Sequence, residues 1–184
     1  MKTPMQITRN IIGISLLILT MNSFIGYNNG QDNPPGTIEC IGDAGSPNVF
    51  VFRKWAFTKM ELPNDNLENI QAEIDINVTS AETKWKDLEK SVKKKKDYFY
   101  VKKFPTATIN IKGAKKQADG SYTTDATLSL KGITKTVALT FTASDSKPYH
   151  IKGSGTLNRR DFKFTGDGPK DEVPVHFDFV LPVE

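Results

Sequence analysis

The sequence predicts an all-β protein: one antiparallel sheet of about eight strands that curls or closes, with one short helix. Three observations carry this. Apolar and polar residues alternate with period two through about seven or eight segments, spaced about 8–15 residues apart, as in strands with one buried and one wet face. Clusters of Asn, Asp, Gly and Pro separate them, and such residues make turns. Helical periodicity occurs once, and no strand–helix–strand rhythm is present, which points away from a parallel sheet.

In chain order, residues 1–9 carry Lys2 and Arg9 and no acid, and residues 11–21 (IIGISLLILTM) are almost wholly apolar. A basic start and a short apolar middle are the layout of a secretory signal peptide; a membrane span needs about 20 apolar residues. Residues 1–26 are therefore expected to be a signal peptide, with an uncleaved anchor as the alternative. Residues 27–36 (YNNGQDNPPG) read as a linker and residues 37–184 as the barrel domain.

Residues 37–41 form a candidate first strand. Residues 49–62 (VFVFRKWAFTKMEL) are strand-like, but Phe50 and Phe52 fall on one parity and Trp55 and Phe57 on the other. The switch at Arg53-Lys54 predicts a β-bulge or a strand buried on both faces. Residues 67–79 alternate cleanly, with Ile70, Ala72, Ile74, Ile76 and Val78 on one face. Residues 80–95 carry the helix. Thr79 and Glu82 have capping-box spacing, and Trp85, Leu88 and Val92 make a narrow apolar stripe. Lys93 to Lys96 end the helix, where its dipole favours cations. That run reads as a solvated helix end or as a patch for an anionic membrane surface or lipid phosphate. Later strands place Ala107, Ile109 and Ile111, then Ala126, Leu128 and Leu130, then Val137, Leu139, Phe141 and Ala143 on their apolar faces. Ile151, Gly153, Gly155 and Leu157 follow, and Val173 to Val183 close the chain with the same alternation. Asp119-Gly120 and Lys131-Gly132 mark hairpin turns, Gly132 taking positive φ.

Charge restricts the partners. The formal charge is +4, yet Lys2 and Arg9 supply two of those positives, so from residue 27 onward 23 basic residues face 21 acidic ones. A nucleic-acid partner is not expected. Cys40 is the single cysteine, so no intramolecular disulfide forms, and its expected role is that of a small buried hydrophobe. His150 and His176 lack a second His or Cys at ligand spacing, so no metal site is predicted. No nucleophile elbow or phosphate-binding glycine loop occurs. The expectation is a non-enzyme without a cofactor; a thiol dyad of Cys40 with a histidine is the remaining catalytic alternative.

Three segments carry a family resemblance. Residues 97–105 (DYFYVKKFP), 128–137 (LSLKGITKTV) and 157–162 (LNRRDF) resemble, in that order, motifs of the YceI-like family of periplasmic lipid-binding proteins. The resemblance runs from about Phe50 to the C-terminus. It implies a lipocalin-like antiparallel β-barrel around a long isoprenoid chain. The chain departs from the family before the aromatic motif, where Lys86-Asp87-Leu88-Glu89-Lys90 stands in place of a histidine-containing segment. It departs again in a short loop after Asp161, and in residues 40–48, which replace the usual opening strand.

The expected ligand-binding residues follow. Ile74, Ile76, Ile109, Leu128, Leu139, Phe141, Phe177 and Phe179 share the apolar face and can line a tunnel. Gly153 and Gly155, inward and small, leave volume in a barrel whose interior is either filled or holds one small ligand. The opposing expectation is that Trp55, Phe57, Phe141, Phe177 and Phe179 fill it. Phe99 is a further expected ligand-binding residue, and Tyr98, Arg159 and Lys102 are candidates for contact with a head group at an open end. Arg159 reads first as a salt-linked corner and second as a head-group contact, guanidinium suiting phosphate or carbonyl. The predicted protein is a periplasmic or secreted, non-catalytic carrier or store for an amphiphile such as a polyprenyl lipid, an isoprenoid quinone or an acyl lipid. An envelope membrane surface and a homodimer are further candidate partners. The alternative is an envelope structural or interaction domain with a filled core.

Overall fold

The computed structural model describes residues 35–42, 48–167 and 170–183. The expected export segment and nearly all of the linker lie outside them. Eleven strands form one antiparallel sheet: β1 (Gly36–Ile41), β2 (Val49–Phe52), β3 (Trp55–Glu61), β4 (Gln71–Asn77), β5 (Ala81–Glu82), β6 (Thr106–Lys112), β7 (Lys115–Lys116), β8 (Tyr122–Leu130), β9 (Ile133–Ala143), β10 (His150–Asn158) and β11 (Glu172–Val180). Helix α1 spans Lys86–Lys94. The strand order is β3-β4-β6-β8-β9-β10-β11-β1-β2-β5, with β7 beside β8.

Strands β2 and β3 are consecutive in sequence yet lie near opposite ends of that order. The sheet must therefore curl until its ends meet, and the two residues between these strands, Arg53 and Lys54, are the corner. The Arg53 amide donates to the Ser80 carbonyl at 3.3 Å and the Asn77 amide to the Lys54 carbonyl at 2.9 Å. The Lys54 amide donates to Ser80 Oγ at 2.9 Å. Beyond this corner β3 and β5 share no ladder, so the architecture is a curled half-barrel. The parity switch at Arg53-Lys54 is thus a change of strand, and all four flanking aromatics are buried. A bulge does occur, five residues later: register against β4 slips between Phe57 and Lys59.

The helix begins later than its periodicity suggests. Val78–Ser80 form a 3₁₀ turn whose N-cap Asn77 side chain accepts from the Thr79 amide, and Ala81 and Glu82 pair with Phe52 and Val51. Those residues are drawn into the sheet, and Ala81 is 1% exposed. The capping box through Thr79 and Glu82 does not form; Glu82 instead meets Arg53 at 3.1 Å. Tertiary pairing here overrides a local helix signal. Trp85 becomes the N-cap residue in extended conformation and is 64% exposed, so the inward stripe reduces to Leu88 and Val92. Glu89 holds the shortened helix. Its carboxylate accepts from Lys86 and Lys93, each at 3.0 Å, and from the Thr83 amide at 3.3 Å.

The interior divides into two ends. At one, Trp55, Phe57 and Phe179 form a cluster with ring centroids 5.4–5.8 Å apart. Phe177 stacks on Phe179 at 5.6 Å, and Phe141 stacks on Tyr122 at 5.2 Å. The aromatic filling expected as an alternative is real at this end. The other end, beneath α1 and the loops around Phe99 and Phe162, is open inside.

Candidate ligand cavity

The open end encloses a cavity of about 320 Å³, within the range of small-molecule sites though near its lower limit. Its wall is built strand by strand from the period-two pattern. Ile74 and Ile76 come from β4, Ala107, Ile109 and Ile111 from β6, Leu128 and Leu130 from β8, Val137 and Leu139 from β9, and Val175, Phe177 and Phe179 from β11. Alternation makes this possible, because every second side chain of a curled sheet points inward.

Of the residues expected from sequence, Ile74, Ile76, Tyr98, Phe99, Ile109, Leu128, Leu139, Arg159, Phe177 and Phe179 border the cavity. Three do not. Phe141 belongs to the packed end. Gly153 and Gly155 point inward but are covered: a Cβ on Gly153 would clash with the Phe177 ring, and one on Gly155 would lie 2.6 Å from Leu139 Cδ2. The volume those glycines leave is taken by neighbouring side chains rather than left to a ligand. Lys102 is exposed on a turn, away from the wall.

Several bordering residues were not anticipated. Ile38, Cys40, Phe50 and Phe52 come from the first two strands, Leu88 and Val92 from α1, and Phe162 and Phe164 from the loop after β10. The period-two parity of Phe50 and Phe52 and the Leu88–Val92 spacing were signals for them. What they lacked was the strand order that carries β1 and β2 beside β11.

The two polar side chains expected at the site, Arg159 and Tyr98, are already occupied. Arg159, 7% exposed, donates to the carbonyls of Lys170 at 3.1 Å, Phe164 at 3.1 Å and Gly166 at 2.7 Å, and pairs with Asp171 at 3.2 Å. This is the braced corner: guanidinium ties the loop after β10 to itself. The Tyr98 hydroxyl donates to the Asp167 carbonyl at 2.7 Å, and its ring rests on Gly166. Lys131, in positive φ beside Gly132 at the β8–β9 hairpin tip, donates to the carbonyls of Lys96 and Lys163 at 3.0 and 2.9 Å. It lies 4.5 Å from the Phe164 ring centroid. That clamp joins hairpin, helix end and loop, and burial lowers the Lys131 pKa. Among the described residues no buried side-chain polar atom lacks a partner.

Cys40 borders the cavity and is half-buried. Burial, with the adjacent Glu39 carboxylate adding to it, pushes its thiol up to about 12, which disfavours the thiolate a nucleophile requires. His176 is engaged with Glu39 at 3.5 Å. Among the described residues no group of three or more His, Cys, Asp or Glu is placed to hold a metal ion.

A curled antiparallel half-barrel with an apolar internal cavity is a fold of the lipocalin-like class. The chain matches the YceI-like domain over residues 49–181, and it belongs to that family. It is 32% identical over 117 residues to the UPF0312 protein YE1254 of Yersinia enterocolitica, a match covering 59% of this chain and 58% of that protein. Among solved structures it resembles Burkholderia cenocepacia BcnA, with a TM-score of 0.70 at 21% identity, over 79% of this chain and 96% of that one. It also resembles a polyisoprenoid-binding domain from Saccharophagus degradans implicated in plant cell wall breakdown, with a TM-score of 0.56 at 12% identity, over 79% and 91% of the two chains. At these identities the structural likenesses speak for the fold.

Proposed function

We propose that this protein binds an amphiphile with a long isoprenoid or acyl tail, the tail lying in the cavity, and serves as a non-catalytic carrier or store in the cell envelope. The observation that carries the reading is the lining of the cavity: mostly aliphatic and aromatic side chains, with Glu39, Asn48, Asp167 and His176 as further polar members and the bordering guanidinium and phenol already hydrogen-bonded within the protein. Such a wall leaves no buried donor unpaired in its empty state, so it gains little from a polar ligand. An apolar chain gains from leaving water without losing hydrogen bonds. Family membership and the isoprenoid-binding neighbour support the same choice of ligand class. The basic, apolar N-terminal segment supports an exported, periplasmic or secreted protein. The raised Cys40 pKa speaks against the thiol-enzyme alternative, and the cavity against an interaction domain with a wholly filled core.

The test is a titration with fluorescent prenyl and acyl probes of increasing length. Each buried CH₂ contributes about 0.8 kcal/mol, so affinity is expected to rise roughly fourfold per carbon and then level off when the cavity is full. Affinity independent of chain length would overturn the reading.

A further inference from the structure

We propose that the outward face of α1 is a docking surface for an anionic lipid bilayer, placed so that the roof of the cavity rests on the membrane. The proposal rests on the lipid-binding reading for its purpose, though the surface stands on its own observations. Residues 84–96 carry seven lysines against Asp87 and Glu89, a net +5 in one short segment, while the whole chain carries +4. The rest of the molecule is therefore close to neutral, and the protein's excess charge is concentrated over this helix. Glu89 is consumed internally by Lys86 and Lys93. Lys84, Lys90, Lys94, Lys95 and Lys96 are exposed, and none forms an ion pair among the described residues. The Lys131 clamp holds the Lys163 backbone beside that of Lys96, which adds another exposed cation; Asp87 on the helix and Asp97 just after it are exposed opposing charges.

Trp85 is the second, independent feature. It is the exposed large apolar side chain among the described residues, whereas Trp55 is 4% exposed in the core. An indole beside lysines is the composition favoured at a membrane–water interface, where the ring sits among head groups and the ammonium groups meet phosphate. A nine-residue helix is about 14 Å long, short enough for exposed Trp85 at its start and exposed Lys94 at its end to reach one bilayer surface. On its other face the same helix presents Leu88 and Val92 to the cavity. A tail leaving the bilayer there would have one helix to pass. A soluble polyanion is the competing partner for the charge, but it gives no use to the exposed indole.

The test uses vesicles of phosphatidylglycerol mixed with phosphatidylcholine against vesicles of phosphatidylcholine alone. Cosedimentation and tryptophan emission are the readouts. The expected result is binding to the anionic vesicles with a blue shift that Trp85→Phe abolishes. Lys90→Gln, Lys94→Gln and Lys95→Gln together should weaken binding by about fivefold per lysine, and added salt should weaken it further. The control pair Lys112→Gln and Lys115→Gln, at the packed end of the barrel, should leave it unchanged. Equal binding to neutral vesicles, an unshifted Trp85, or an equal loss in the control pair would overturn the proposal. So would binding to heparin with no preference for vesicles. Probe binding in vesicle-free solution separates the two readings: the triple variant should keep it, and failure of wild type to bind any chain would sink the carrier reading while leaving docking intact.

Discussion

The ring of Phe177 on β11 lies against the bare backbone of Gly153, its cross-strand partner on β10. Glycine at that position allows an aromatic ring to cover the strand where any Cβ would collide with the ring and with the Thr140 carbonyl. Phe177 is thereby fixed between the packed end of the barrel and the cavity, and it borders both.

Gly153→Ala is expected to displace that ring. Overpacking of this kind costs about 1–3 kcal/mol, and the freed Phe177 has the cavity as its nearest space. Urea unfolding should show the loss of stability, and long-chain probes should bind more weakly than short ones. Wild-type values in both measurements would show that the contact is not tight.

The division of the interior into two ends predicts opposite behaviour for two inward residues. Phe141→Ala removes a buried ring stacked on Tyr122 and should cost about 3–5 kcal/mol, with chain binding changed only through lost stability. Ile109→Phe adds volume on the cavity wall, where Ile109 is only partly buried. It should reduce the longest chain that binds while costing less stability. Thermal denaturation combined with the length series distinguishes them; the reverse pattern would place the ligand at the packed end.

Hydrogen bonds from Lys93 and then Lys86 lower Glu89 from 4.5 to about 2. A depressed folded-state pKa contributes stability that is complete above the unfolded value and is lost as pH falls through the folded one. Glu89→Gln should therefore destabilise the protein by about 1 kcal/mol at neutral pH. The difference from wild type should shrink between pH 4.5 and about 2. Stability curves of the two proteins that stay parallel across that window would show that the bridges contribute nothing.

Much of the fold was legible because strand periodicity is a local property. Alternation from Ile70 to Val78, from Thr106 to Lys112 and from Val137 to Ala143 followed directly from one dry and one wet face, and Lys131-Gly132 announced its hairpin. The helix was half legible. Leu88 and Val92 obeyed the period, but Trp85 shared it and lies in solvent, because Ala81 and Glu82 pair with β2 and hold the preceding chain extended.

The sequence by itself determined which strand side chains face inward, where the turns fall, that the sheet is antiparallel, and that four lysines gather at residues 93–96. Tertiary structure decided the rest. Parity places a residue inside but says nothing of its depth along the barrel, so Phe141 and Leu139 share a strand face while one lies in the packed end and the other on the cavity wall. Small residues announce space without saying who fills it: Phe177 and Leu139 cover Gly153 and Gly155. Arg159 could have served a ligand or a loop, and only the positions of the Lys170, Phe164 and Gly166 carbonyls gave its donors to the loop. Each of these outcomes depends on atoms distant in sequence competing for the same volume or the same hydrogen bond, and that competition exists only once the sheet has curled.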